Sequence, residues 1–167
     1  DLRTGEILST KIGVPRNLAV SVRRNGVYQM AEIDPRFRTY YIADEVICEN
    51  LTARMLKAFG LSLGLATNLA GSAAYSPEEL RSPEFTQKYG ITASVMDNVL
   101  YNYLAQPGDK EKGVVLIVDK PGVCDAFTLK YLYAATSENE SDMLKKWAME
   151  HDGDPRYFYG KRSPAYP

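Results

Sequence analysis

Leu18, Val20 and Val22 alternate with Ala19, Ser21 and Arg23 along residues 18–24. A period of two is the pattern of a half-buried strand. Asn25-Gly26 follows at once, a hairpin turn signal, so residues 27–30 are expected to return as a partner strand. Residues 5–14, rich in β-branched side chains and closed by Pro15, read as a further strand. Asp34-Pro35-Arg36 is a loop signal.

The period changes at residues 43–66, where Val46, Ile47, Leu51, Met55, Phe59 and Leu63 recur at three- and four-residue spacings. That is the pattern of the main helix. Asp44 and Glu45 occupy its first turn, where carboxylates complement the helix dipole. Gly60 and Gly64 each cost about 1 kcal/mol against alanine inside a helix, so they mark close backbone approach or a helix end. Residues 67–93 look irregular, except for a short helix started by Ser76-Pro77-Glu78-Glu79 with Pro77 in its first position. Helices are expected at 125–134 and from Ser141 onward, the latter ended by Gly153-Asp154-Pro155.

The chain has 167 residues, 45% hydrophobic and 25% charged, which is globular rather than disordered composition. This length suits one domain with a core that needs no metal or disulfide. The 20 basic and 21 acidic residues give a net charge of −1 and argue against a nucleic-acid partner. The uncharged stretch 58–77 holds too many glycines and polar residues for a membrane span. The first residues lack the n-region and h-region of a signal peptide. Absence of an initiator Met suggests a piece of a longer chain.

The single histidine, His151, and the two cysteines, Cys48 and Cys124, exclude a multi-histidine or four-cysteine metal site. No short spacing links these three residues to one another. A Cys48–Cys124 disulfide stays open. Ser72 and Ser94 lack a nearby base for nucleophilic work. Asp44 and Glu45 read as helix-start charges, and Lys57 as a helix lysine with its head in solvent.

Residues 59–68, Phe-Gly-Leu-Ser-Leu-Gly-Leu-Ala-Thr-Asn, carry a family resemblance. So do Gly71-Ser72, Leu80-Arg81-Ser82-Pro83, Ser94-Val95-Met96-Asp97, Asn102-Tyr103, Ala105-Gln106-Pro107-Gly108-Asp109 and Lys130-Tyr131-Leu132-Tyr133. In order and spacing they resemble the catalytic domain of large secreted bacterial zinc-dependent metallopeptidases of the metzincin type. Those enzymes carry H-E-x-x-H-x-x-G-x-x-H followed by a methionine turn. The resemblance covers about residues 1–160, leaving 161–167 as a tail.

The resemblance implies an α/β (α+β) zincin-like fragment. It would have a small mixed sheet, a long former active-site helix and a helical and irregular C-terminal part. In the family, two histidines one helical turn apart bind zinc, a glutamate between them is the general base, and a third histidine completes the site. Anchored on Gly64 and Asn68, the ligand positions here hold Lys57, Leu61 and Thr67, and the base position holds Ala58. Lys57 would repel a cation, and Ala58 and Leu61 have no donor atom. The expectation is therefore a non-catalytic homologue, without zinc, that keeps a peptide cleft. That cleft would involve Gly64, Asn68, Ser72 and Met96, with a peptide pairing to a strand near residues 6–14. The resemblance also implies export to the periplasm or cell surface. Two alternatives remain: an active metallopeptidase with other ligands, and a structural module of a larger exported protein.

Overall fold

The computed structural model describes residues 3–4, 6–135 and 139–160. Six α-helices follow one another among them: α1 (Leu18–Met30), α2 (Asp44–Ser62), α3 (Pro77–Leu80), α4 (Pro83–Tyr89), α5 (Val123–Tyr133) and α6 (Glu140–Glu150). Long irregular segments join them. The expected α/β fold with a mixed sheet is not what forms. No strand occurs among the described residues, and the nearest feature is one isolated antiparallel bridge between Tyr101 and Ile117.

The sequence at 18–30 shows why the strand reading fails. Leu18, Val22, Gly26 and Met30 are buried, while Val20 is 67% exposed. The buried positions lie four apart, which is one face of a helix. The alternation of three residues was a local coincidence inside that longer period. Asn25-Gly26 is no turn, because Gly26 sits mid-helix where the Phe37 ring packs directly on its backbone. Residues 6–14 form no strand either and are mostly exposed.

The main helix forms as expected but stops at Ser62. Gly64 has φ +85°, a left-handed conformation that glycine adopts without strain. Leu65 N–H donates to the Gly60 carbonyl and Gly64 N–H to the Leu61 carbonyl. This is the Schellman arrangement that closes a helix on a glycine. The Ser76 start signal also holds: Ser76 Oγ accepts from Glu79 N–H, and the Glu79 carboxylate accepts from Ser76 N–H. Helix α4 was not foreseen, though Ser82 caps it in the same manner, its Oγ accepting from Phe85 N–H.

Buried carboxylates tie the irregular segments together. Asp109 accepts from the Arg81 guanidinium at 2.8 and 3.2 Å and from Gln106 N–H. Asp34, fully buried, accepts from Arg36 and Lys110. Hydrogen bonds from Arg81 hold the Asp109 carboxyl well below the usual carboxylate range. For Asp34, burial pushes upward most strongly, but the bonds from Arg36 and Lys110 together outweigh it and the net direction is down. A carboxyl with a depressed folded pKa contributes stability above its unfolded value, near 4, and loses it as pH falls toward the folded value. The thermal midpoint is therefore expected to drop below about pH 4. Asp109→Asn should lower the midpoint at neutral pH and flatten that acid-side fall. A parallel pH curve for the variant would contradict this assignment.

Candidate functional site

Helix α2 presents Arg54, Lys57, Ala58 and Leu61 along one face, at spacings of three and four residues. These four residues line a groove of about 620 Å³. Asn25 and Gln29, one turn apart on α1, line it too, as do Val95, Tyr101, Tyr103 and the Asp97–Leu100 stretch. The volume falls in the range of small-molecule and peptide pockets.

Beneath α2 the segment 91–97 is buried throughout. Met96 is 1% exposed, and its sulfur lies where a Cβ on Gly60 would fall. Gly60 is therefore explained by close approach, and Met96 forms a floor under the last turns of α2. The chain is anchored there by polar groups. Asn68 N–H donates to the Met96 carbonyl, and the Asp97 carboxylate accepts from Ser72 N–H at 2.7 Å and Asn98 N–H at 2.6 Å. The Asn68 side chain donates to the Phe158 carbonyl and accepts from Gly160 N–H, which pins the end of the described chain beside the turn.

Lys57 is half-buried. Its ammonium donates to the Asp97 carbonyl at 2.9 Å and to Asn98 Oδ1 at 2.7 Å. Burial lowers its pKa, partly opposed by the Asp97 carboxylate. Burial also pushes the Tyr101 hydroxyl up to about 12, while that hydroxyl donates to the buried Asn50 side chain at 2.6 Å.

The expected ligand positions meet only in part. Lys57, Ala58 and Leu61 share the groove, whereas Thr67, half-buried beyond the Gly64 turn, does not line it. Gly64, Asn68, Ser72 and Met96 do not line it either; Asn68, Ser72 and Met96 form the buried support described above. The donor set does not fit a zinc ion. It comprises a cationic amine already bound to two acceptors, a methyl group, an isobutyl group and a distant hydroxyl. Among the described residues no three His, Cys, Asp or Glu side chains are grouped to hold a metal.

The other sequence candidates lie apart. Cys48 is exposed and Cys124 buried, and both thiols are free. Cys124 is pushed up by burial and lies 3.4 Å from the Asn68 side-chain nitrogen. His151 stacks on Tyr157 at 3.8 Å and meets Phe127 edge-on. Ser94 Oγ donates to Asp125. Sequence reasoning missed Arg54, Asn25 and Gln29. The signal for Arg54 was present, since it precedes Lys57, Ala58 and Leu61 on their own helical face. Asn25 and Gln29 were hidden by the strand reading of their segment.

A glycine-closed helix thus lies over a buried methionine turn that Asp97 fixes, the arrangement the sequence resemblance to zincin-type metallopeptidases implies. The Met-zincin family model matches residues 41–166, and the chain belongs to that family. No curated protein and no solved structure matches it.

Proposed function

We propose that this domain is a non-catalytic Met-zincin homologue that binds a peptide or protein segment in the α2 groove. The observation that carries this reading is the state of the ligand positions. Lys57, Ala58 and Leu61 face one open groove, yet they offer no base and no metal donor, and the Lys57 ammonium is engaged with Asp97 and Asn98. A general base must accept a proton and a metal ligand must donate a lone pair, and these side chains do neither at neutral pH. The groove itself is open, and the glycine turn and the buried Met96 support lie beside it.

The mode of binding differs from strand addition, because no strand forms at residues 6–14 to receive an extended peptide. The groove itself, walled by α1, α2 and the segment 95–101, receives the peptide instead. Ala58 is half-buried and lines the groove beside Lys57 and Leu61. Ala58→Trp is expected to fill the groove and weaken binding of fluorescein-labelled degenerate heptapeptides at least about tenfold by anisotropy. The thermal midpoint should stay within a few degrees of the parent. Unchanged affinity in a folded Ala58→Trp protein would place the binding surface elsewhere. Cleavage of the same peptides on adding zinc would contradict the non-catalytic reading.

A further inference from the structure

Arg54 stands in the groove without a partner. Its Nε is buried and makes no hydrogen bond; the only other such side-chain atom among the described residues is the Tyr75 hydroxyl. By contrast, Arg36, Arg81 and Arg156 each fork onto a carboxylate. Buried polar groups in native proteins are nearly always satisfied, so a groove-lining arginine whose guanidinium has no acceptor among the described residues points to a missing one.

The surroundings favour an anion. Lys57 carries three donors and uses two, leaving one for an occupant. The carboxylate lining the groove, Asp97, is spent on the backbone N–H groups of Ser72 and Asn98. Asn25 and Gln29 bring two amide groups from α1, neither with a hydrogen-bond partner among the described residues. Two cations face one committed carboxylate, with amides beside them. A carboxylate suits this set, because the guanidinium fork matches its two oxygens.

We infer that the occupant is a peptide carboxylate held by Arg54, from an acidic side chain or from a free C-terminus. This rests on the peptide-binding reading above and names the ligand chemistry of the same groove. Degenerate fluorescein-labelled heptapeptides fixed at the centre as Glu, Gln or Lys, each with a free or an amidated C-terminus, separate the two carboxylate sources. The pools carrying the preferred carboxylate should bind at least about tenfold more tightly than their neutral counterparts. Arg54→Gln should abolish that preference. Arg54→Lys, which keeps the charge but not the fork, should retain part of it. Arg54→Gln should also leave the thermal midpoint unchanged or higher, since the group removed has no partner. Equal binding of acidic and neutral pools, tighter binding of the Lys pool, or a preference that survives Arg54→Gln would overturn the inference and leave peptide binding standing. No binding by any pool would overturn both.

Discussion

Asp125→Ala is expected to destabilise the protein by about 3–9 kcal/mol, because it strands three buried donors at about 1–3 kcal/mol each. The Asp125 carboxylate is 3% exposed. It accepts from Ser94 Oγ at 2.6 Å, Val95 N–H at 2.7 Å and Gly122 N–H at 2.8 Å. One side chain thus ties the start of α5 to the segment that carries Met96 and Asp97. For a chain of this size each kcal/mol lowers the thermal midpoint by about 2–4 °C, so the loss should be at least about 6 °C by calorimetry. Asp125→Asn keeps one carbonyl acceptor and should lose less. If alanine and asparagine were equally mild, within about 2 °C of the parent, these hydrogen bonds would not be what holds the turn.

Gly122→Ala is expected to cost about 3 kcal/mol or more by overpacking. A Cβ at this position would fall on the Ala93 carbonyl, and the Ser94 nitrogen is close behind. Both obstacles are backbone, so no rotamer change relieves them. The same carbonyl accepts from Cys124 N–H at 2.9 Å, which holds the two segments at the crossing. Separation of the segments would also disturb Met96 beneath α2. Urea unfolding should therefore show a lower midpoint with an unchanged slope. A midpoint equal to that of the parent would mean that the crossing is looser than this packing implies.

The degenerate ligand positions could be read from the sequence, whereas the lining of the groove and much of the fold could not. The α2 period, its glycine stop and the Ser76 cap are local signals, set by residues within one or two turns of each other. They came through intact. The substitutions at 57, 58, 61 and 67 were equally readable, because a motif of fixed spacing marks the positions where donors are missing. The sheet failed because a strand period over 18–24 and a helix period over 18–30 share Leu18 and Val22. Only the packing of Phe37 on Gly26 decides between them, and that contact spans eleven positions of sequence. Asp125 illustrates the same limit. As a helix-start residue it is local, but its partners at Ser94 and Val95 lie about thirty positions away. The groove needed tertiary structure for a similar reason, since α1 brings Asn25 and Gln29 to a lining otherwise built from α2 and the segment around residues 95–103.

The chain's membership of the Met-zincin family and its retained turn make the metal the decisive quantity. The most direct test is zinc per chain by elemental mass spectrometry, after incubation with excess zinc and gel filtration. A ratio near zero is predicted, because Lys57, Ala58, Leu61 and Thr67 supply no adequate donor set. A ratio near one per chain that survives gel filtration would contradict the account. The metal ligands would then lie elsewhere and the non-catalytic reading would fall.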